Sequence, residues 1–316
     1  MKIRPLPDFL LRAERKMQIY NNLESLSEIR GKTAVTIGKF DGLHLGHQML
    51  LQKISEKKEE GLIPAVVSIE MNKNGGSMRN CLLTDREEED ILEAFGTELL
   101  LRIPFTEEFA KTEAERFLTD ILLQKLHAAY IVCGEDFRFG RDRKGSPAFL
   151  SANAEEFGFS CETVPSLTSA DGSVISSTRI RTLLDLGQIA DVEKLFGRPY
   201  EIRGTVINGM HLAGKLGFPT ANIRPDPDKY LPCFGVYQIR TLLHGQWIRG
   251  LANLGTKPTV QESLDPLLEV YYPGISENLY GQQLGVFFEK FIRPEKKFES
   301  LDALKNQMKL DLQHLD

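Results

Sequence analysis

Residues 33–54 read TAVTIGKFDGLHLGHQMLLQKI, and this stretch decides the fold of the first half of the chain. The apolar run 33–37 predicts a strand, and the run 47–54 predicts a helix. The turn between them contains glycines. Such turns bind phosphate in α/β proteins, because unpaired backbone N–H groups at the start of a helix point outward. We therefore predict a nucleotide phosphate site in this turn.

The turn carries two histidines, His44 and His47, whose spacing places both on one face of a helical turn. Gly46 lies between them and has no Cβ, so a ligand can approach the backbone closely. A bare histidine pair is also typical of a surface or of a metal site. Zinc would need a third ligand, and neither an HExxH motif nor a cysteine supplies one. The pattern favours imidazoles that donate to a phosphate oxygen during nucleotidyl transfer.

The following segments alternate between strand and helix patterns. The predicted strands are 65–69, 99–103 and 130–133, and the predicted amphipathic helices are 85–95 and 112–126. This alternation predicts an α/β fold with a mainly parallel, doubly wound, Rossmann-like sheet. Ligands of such sheets bind at the C-terminal ends of the strands. Both the turn 38–47 and the segment 134–140 follow predicted strands and fall at that edge.

The pattern changes near residue 197. Two short helices are predicted before it, at 177–186 and 189–196, and after it come apolar runs broken by Gly and Pro, at 200–207, 235–243, 247–254, 267–272 and 283–291. Such spacing predicts a small antiparallel barrel or sandwich. The tail 300–315 has helical spacing, with Ser300 as the expected N-cap. We assign residues 1–186 to the first domain and 187–316 to the second.

Composition narrows the class of protein. A net charge of −5 argues against a protein that coats nucleic acid. The four cysteines form no CxxC pair, which is typical of reduced thiols in a cytoplasmic protein. The N-terminal residues lack the unbroken apolar core of a signal peptide, and no apolar run reaches membrane-spanning length. We expect a cytoplasmic protein without a nucleic-acid or membrane partner.

Two further segments of the first half have two interpretations each. The segment GEDFRFG at 134–140 is either a polar loop with two packed aromatic rings or part of the ligand site. The segment ISSTRIR at 175–181 places hydroxyl groups at a helix start, where they act as N-caps or bind phosphate together with Arg179.

The second half offers two candidates. In LGFPTANI (216–223), Thr220 and Asn222 provide hard oxygen ligands suited to Mg²⁺ that is shared with phosphates, although the segment also suits a β-turn with proline at its corner. Glu269 faces away from its apolar neighbours Leu268 and Val270 in a predicted strand. A carboxylate in that position is either solvated or catalytic.

Taken in order, these segments resemble the bacterial bifunctional riboflavin kinase/FMN adenylyltransferase family, also called FAD synthetases. GKFDGLHLGH, GEDFRFG and ISSTRIR resemble the adenylyltransferase motifs, and GRPY (197–200) resembles the junction to the kinase. GFPTAN (217–222), LANLGTKPT (251–259), LEV (268–270), LYG (279–281) and FIRPEKKF (291–298) follow in the order usual for the kinase. The resemblance covers the chain from about residue 32 to its end.

The resemblance implies a two-step route from riboflavin through FMN to FAD, with ATP as co-substrate in both steps and Mg²⁺ as the cation. Glu269 would take the proton of the riboflavin hydroxyl, whereas His44, His47 and Arg179 would stabilise the triphosphate in the second reaction. The other implied nucleotide or phosphate contacts are Gly38, Phe40, Asp41, Gly46, Ser176, Ser177, Gly214, Lys215, Gly217, Thr220 and Asn222. Asp136, Phe137 and Arg293 would contact the flavin, and Thr220 and Asn222 would hold the metal.

The chain departs from the family pattern at several points. The family usually has a Phe-x-Pro-His-Pro-like segment where this chain has IEMNK (69–73), Lys39 replaces a small or neutral residue, and Tyr271 stands where histidine is common. Lys215 would supply the charge of a displaced arginine. One alternative is therefore a riboflavin kinase with a weakened or inactive adenylyltransferase domain. A second alternative is a flavin-sensing regulatory protein. A third is a cytidylyltransferase, but this function would leave the second half of the chain unexplained.

Overall fold

The computed structural model describes residues 17–71, 80–208, 218–256, 265–275 and 277–315. The chain divides into two compact units, residues 1–177 and 178–316. The division precedes the predicted boundary at 186/187, because the helix over 177–185 bonds within the second unit. The Leu184 carbonyl accepts from the Cys233 N–H at 3.1 Å, and the Asp185 carboxylate accepts from the Tyr230 hydroxyl at 2.7 Å. The boundary between functional domains stays a prediction.

The first unit is built on a six-stranded sheet with strand order β1-β4-β3-β2-β5-β6, in which every pair is parallel. The strands are β1 (Gln18–Tyr20), β2 (Thr33–Gly38), β3 (Ile63–Glu70), β4 (Leu99–Pro104), β5 (Ala128–Gly134) and β6 (Ser160–Val164). This topology confirms the predicted doubly wound sheet.

Helices cover both faces of this sheet. The α-helices are α1 (Leu45–Glu56), α2 (Asp85–Ala94), α3 (Glu107–Ala110), α4 (Ala114–Arg116) and α5 (Pro147–Phe157). Alternate residues of β2 enter two separate cores, with Val35 and Ile37 in one and Ala34 in the other. Leu51 of α1 and Leu92 of α2 belong to the second core. Burial on both faces explains why the central strands are continuous apolar runs.

Four elements of this unit differ from the sequence prediction. The edge strands β1 and β6 are not predicted, because one is very short and the other is half-exposed. Helix α5 is also not predicted. The predicted helix 112–126 is α4 continued by π-helical turns over Phe117–Lys125, and the Leu126 N–H donates to the Ile121 carbonyl five residues earlier at 3.0 Å.

The second unit is a closed antiparallel barrel with strand order β10-β11-β8-β7-β12-β9, which confirms the predicted barrel. Its strands are β7 (Tyr200–Ile207), β8 (Thr220–Ile223), β9 (Gly235–Leu243), β10 (Gln246–Thr256), β11 (Pro266–Tyr271) and β12 (Gln283–Pro294). Alternate residues such as Ile223, Leu254, Leu268 and Val286 are fully buried. The intervening residues face outward, and they include the candidate site residues.

Among the described residues, three α-helices accompany the barrel strands: α6 (Ser177–Asp185), whose first residue lies at the unit boundary, α7 (Ile189–Phe196) and α8 (Leu301–Leu312). The Ser300 hydroxyl accepts from the Ala303 N–H at 3.1 Å, which confirms the predicted N-cap of α8. Within the described ranges, no helix combines the length and the apolar character that crossing a membrane requires.

Candidate active sites

The turn between β2 and α1 is held by its own hydrogen bonds. Gly42 and Leu43 adopt left-handed backbone conformations, with φ of 92° and 43°. This conformation costs a leucine on the order of 1–2 kcal/mol. The Leu43 side chain is fully buried, and its carbonyl accepts from Gln48 Nε2 at 2.9 Å. These contacts offset the strain and fix the backbone where the helix begins.

The two predicted histidines lie against each other at the start of α1. Their rings stack with centroids 3.7 Å apart and planes 17° apart. His44 is the N-cap residue, and its side chain makes no capping hydrogen bond. A Cβ on Gly46 would lie 3.3 Å from the His44 ring, so the glycine allows this close packing. Since the first turn of α1 contains no carboxylate, the partial positive charge of the helix end adds to that of the imidazole donors.

Neighbouring residues support this turn. The Phe40 ring packs edge-on against His47 with centroids 5.3 Å apart, and a Cβ on Gly38 would touch Phe40 at 3.4 Å. The Asp41 carboxylate accepts from the Leu82 N–H at 2.9 Å, and its carbonyl accepts from the Ser177 hydroxyl at 2.6 Å. Asp41 and Ser177 therefore tie loops to the turn. Their predicted phosphate contacts stay predictions.

The loop 134–140 leaves the same edge of the sheet, because β5 lies parallel and next to β2. The strand order runs in opposite directions from this pair, and such a switch point is where α/β sheets bind ligands. The Phe137 ring stacks on Phe139 at 5.4 Å and packs against the core, and Asp136 lies in the turn directly before it. The structure thus gives Phe137 a packing role, while the predicted flavin contacts stay predictions.

Two other predicted residues lie near the boundary between the units. Ser176 is half-buried and directly precedes α6, whereas Arg179 lies in the first turn of α6 and belongs to the second unit. Their roles in holding phosphates remain predictions.

An ion cluster lies where the chain departs from the family pattern. The fully buried guanidinium of Arg102 lies 3.3 Å from Glu70, 2.7 Å from Glu88 and 2.9 Å from Glu89. Burial raises the pKa of Glu88, although the guanidinium opposes this effect. Arg102 thus fixes Glu70, the last residue of β3, at the ligand edge of the sheet. Residues 72 and 73 of the altered segment lie outside the described ranges.

In the barrel, Glu269 lies directly opposite Asn222 across the antiparallel pair β8–β11. Paired residues of neighbouring strands project from the same face, with Cβ atoms roughly 4.5–5.5 Å apart. Leu268 and Val270 are fully buried whereas Glu269 is half-buried, so the predicted alternation holds. Glu269 therefore faces outward beside Asn222.

Asn222 has an unsatisfied acceptor. The residue is only 4% exposed, and its Oδ1 is buried with no hydrogen-bond partner in the described part of the chain. A buried acceptor without a partner costs about 1–3 kcal/mol. A bound cation would supply the missing partner, since amide and hydroxyl oxygens suit Mg²⁺. Thr220 begins the same strand, two residues before Asn222 and therefore on the same face.

A cavity of about 260 Å³ opens beside Thr220. Its lining includes the polar residues Thr220, Glu277 and Asn278 beside apolar ones such as Ile275 and Leu279. Burial raises the pKa of Tyr272, another lining residue, to about 12, so this hydroxyl stays protonated at neutral pH. The predicted phosphate and metal contacts of Thr220 stay predictions.

Tyr271 occupies the position where the family often has histidine. It lies opposite Thr220, and its ring packs edge-on against Phe218 with centroids 5.4 Å apart. The residue thus packs against the start of the 218–223 segment. Gly214, Lys215 and Gly217, the predicted phosphate contacts of the preceding loop, lie outside the described residues.

Arg293 is bonded within the barrel unit. Its guanidinium Nη2 lies 2.7 Å from Asp311 Oδ2, and Nε donates to Oδ1 at 3.0 Å. Asp311 is only 3% exposed and lies in α8, so the pair fastens the C-terminal helix to β12. The predicted contact of Arg293 with flavin stays a prediction beside this structural role.

Sequence reasoning assigned no role to Asn253, which lies beside Glu269, or to Glu295, which accepts a hydrogen bond from Asn253. Asn253 of β10 lies opposite Glu269 on the side away from Asn222, and its Nδ2 donates to Glu295 Oε1 at 3.2 Å. We refer to Asn222, Glu269 and Asn253 as the polar row. A signal was present, since Asn253 alternates with the apolar residues Ala252 and Leu254, but only the strand register brings it to Glu269.

Two family models match the chain. The FAD synthetase model matches residues 26–179, and the riboflavin kinase model matches residues 196–316. The bifunctional riboflavin kinase/FMN adenylyltransferase of Haemophilus influenzae is 37% identical over 306 residues, which cover 94% of this chain and 97% of that protein. The protein of the same name from Escherichia coli K12 is 35% identical over 93% of this chain and 96% of its own length.

A solved structure is similar over both units. The crystal structure of a macrolide-efflux protein from Streptococcus pneumoniae superposes with a TM-score of 0.84 at 28% identity, and the match covers 95% of this chain and 98% of that one. Efflux is the function named for that protein. What the two chains share here is their fold.

Proposed function

Since the chain belongs to the bifunctional riboflavin kinase/FMN adenylyltransferase family, we propose that it phosphorylates riboflavin to FMN and then adenylylates FMN to FAD. The observation that supports the kinase assignment is the cross-strand pairing of Glu269 with Asn222. The buried Asn222 Oδ1 has no hydrogen-bond partner among the described residues. ATP serves both steps, and the enzyme works in the cytoplasm, where ATP is made and used.

In the kinase reaction, Glu269 acts as the general base. An alcohol is a poor nucleophile near neutral pH, and a carboxylate within hydrogen-bond reach removes its proton as the new bond forms. The riboflavin 5′-oxygen bonds to the γ-phosphorus of ATP, the bond from that phosphorus to the β,γ-bridging oxygen breaks, and ADP leaves. The proton passes to Glu269. The outward position of Glu269 gives a substrate access to the carboxylate.

Thr220 and Asn222 would hold Mg²⁺ together with the ATP phosphates. The buried Asn222 Oδ1 fits a cation, which needs an oxygen ligand of this type. Across the described ranges, no group of three or more His, Cys, Asp or Glu side chains forms a metal cluster. The remaining ligands would be phosphate oxygens and water, as is usual for Mg²⁺, and the ion would neutralise charge on the transferring group. The cavity beside Thr220 would hold the adenine base.

In the adenylyltransferase reaction, an FMN phosphate oxygen attacks the α-phosphorus of a second ATP, and pyrophosphate leaves. No side chain needs to form a covalent intermediate, because positioning and charge stabilisation carry such displacements. The stacked His44 and His47 lie at the N-terminus of α1, where backbone N–H groups and the imidazoles would donate to the phosphate oxygens of ATP. Arg179 adds charge in this proposal.

The test supplies the two acceptors separately. Riboflavin or FMN is incubated with ATP, with and without Mg²⁺, and FMN, FAD and pyrophosphate are quantified by chromatography and a coupled assay. We expect FMN from riboflavin, and both FAD and pyrophosphate from FMN. FMN formation without FAD would leave a riboflavin kinase with an inactive first domain. Flavin binding without any turnover would point to a regulatory protein instead.

A further inference from the structure

The polar row extends the kinase site beyond Glu269. Asn253 is the cross-strand neighbour of Glu269 on β10, as Asn222 is on β8. The three side chains therefore share the outer face of three adjacent strands, each within about 5.5 Å of the next at Cβ. Asn253 is half-buried, and it has no role in the two reactions proposed above.

Glu295 sets the orientation of the Asn253 amide. The amide nitrogen donates to Glu295 Oε1 at 3.2 Å. A carboxylate only accepts hydrogen bonds, so the opposite orientation would place two oxygens against each other. With its NH₂ group turned to Glu295, Asn253 can accept a hydrogen bond from a ligand at Oδ1.

The backbone leaves room for Glu295 at this point. Pro294, the last residue of β12, pairs with Gly235, which in turn pairs with Leu254 of β10. Glu295, which directly follows β12, therefore lies next to Gly255 of β10, which directly follows Leu254. A Cβ on Gly255 would overlap the Glu295 carboxylate, so the missing side chain admits it.

We propose that Asn253 Oδ1 accepts a hydrogen bond from the riboflavin hydroxyl next to the one that is phosphorylated. This inference rests on the proposed kinase function. The ribityl chain is a polyol whose neighbouring hydroxyls are hydrogen-bond donors, and Glu269 and Asn253 are neighbouring acceptors. While Glu269 takes the proton of the terminal hydroxyl, Asn253 fixes the adjacent one and orients the attacking oxygen. Glu295 acts through Asn253 as a positioning residue.

The experiment compares riboflavin with 4′-deoxyriboflavin, which lacks only the hydroxyl assigned to Asn253. Purified full-length wild type, Asn253→Ala, Glu295→Gln and the double variant are assayed for kcat and KM with both flavins. Glu289→Gln, the same type of change at a glutamate within β12, is the matched control. Thermal unfolding of each variant is recorded in parallel.

We expect the wild type to prefer riboflavin over the deoxy analogue by about tenfold in kcat/KM, the value of one hydrogen bond. Asn253→Ala should abolish this preference by losing activity on riboflavin alone. Glu295→Gln should reduce the preference, and the double variant should match Asn253→Ala, because Glu295 acts through the amide. The control should keep the wild-type preference.

An equal loss of kcat/KM on both flavins in Asn253→Ala would overturn the inference. So would a double variant whose loss is the product of the losses in the two single variants. If Asn253→Ala does not fold, Glu295→Gln decides with the same two flavins: a loss confined to riboflavin supports the inference, and an equal effect on both refutes it. A wild type that cannot phosphorylate riboflavin would instead refute the proposed kinase function.

Discussion

Glu269 and Asn222 face each other across one antiparallel strand pair, so the proposed base and a proposed metal ligand are held by backbone hydrogen bonds of the same ladder. Neither residue depends on a loop for its position. Rigid strands hold reacting groups more accurately than loops do, and positioning contributes much of the rate in phosphoryl transfer. The barrel thus supplies the precision that this reaction needs.

Replacing the proposed base should separate the two reactions. We expect Glu269→Gln to lower FMN formation from riboflavin by about 10²-fold or more, because the amide cannot accept the proton. FAD formation from supplied FMN should be unchanged. Steady-state assays with each acceptor measure both rates, and Glu289→Gln is the control. Equal loss of both activities would contradict the division of labour.

Removing the buried acceptor of Asn222 should abolish the kinase activity and raise the stability of the fold. Asn222→Leu has a similar volume and no unsatisfied oxygen, so the free energy of unfolding without Mg²⁺ and ATP should rise by about 1 kcal/mol. Kinase activity should be lost at every Mg²⁺ concentration. Chemical denaturation and a Mg²⁺ titration of the kinase rate test the two halves of this prediction. A marked decrease in stability would show that Oδ1 has a structural partner.

The histidine pair should matter for the second reaction only. His47→Asn removes the imidazole, and we expect FAD formation from FMN to fall by about 10²–10³-fold, as for other donors to a developing oxyanion. FMN formation from riboflavin should persist. His127→Asn is the control, because this exposed histidine has a left-handed backbone that asparagine accepts. A kinase defect in His47→Asn would argue against separate sites.

The pair of Arg293 with Asp311 should stabilise the barrel unit. Asp311→Ala leaves the partly buried guanidinium of Arg293 without its buried partner, so we expect a loss of about 3 kcal/mol in the free energy of unfolding. Asp302→Ala, in the exposed first turn of the same helix, should cost much less. Denaturant unfolding monitored in the second unit measures both. Unchanged stability with weakened flavin binding would instead favour the predicted flavin contact of Arg293.

One carboxylate should contribute a pH-dependent stability to the first unit. Hydrogen bonds from Lys53 and then Tyr130 hold the pKa of Glu162 below its usual value of 4.5. The unfolded chain then binds more protons than the native state, so this stability is present above about pH 4.5 and is lost as the pH falls through the native pKa. Glu162→Gln should destabilise at pH 7, and the difference from wild type should shrink towards pH 3. Unfolding titrations at both pH values test this, with the exposed Glu156→Gln as control.

The central elements could be predicted because their burial leaves a local pattern. β2, β3, β4 and β5 are continuous apolar runs, since helices cover both faces of the sheet. β8 could not be predicted with the same ease, because Pro219 and Asn222 also suit a turn. Its strand character comes from pairing with β7 and β11, which the local sequence does not encode.

The candidate sites were predictable only in part, for a related reason. His44, His47, Thr220, Asn222 and Glu269 belong to short motifs whose residues carry their chemistry locally. The local sequence indicates no role for Asn253 or Glu295. Their proximity to Glu269 and to each other comes from strand register, which brings together residues far apart in the chain. The bond between Arg293 and Asp311 likewise depends on where α8 packs, so the local sequence does not reveal it, and the flavin contact that the resemblance implies for Arg293 stays a prediction.

The alternation along β8 and β11 also concerns protein engineering. Ala221, Ile223, Leu268 and Val270 fill the inside of the barrel, while the polar row lies on its outside. A library that varies only the inward positions would therefore search for heat-tolerant variants without altering a single proposed reacting group. A library of outward positions, by contrast, would have to keep Thr220, Asn222 and Glu269, because the proposed reaction uses them.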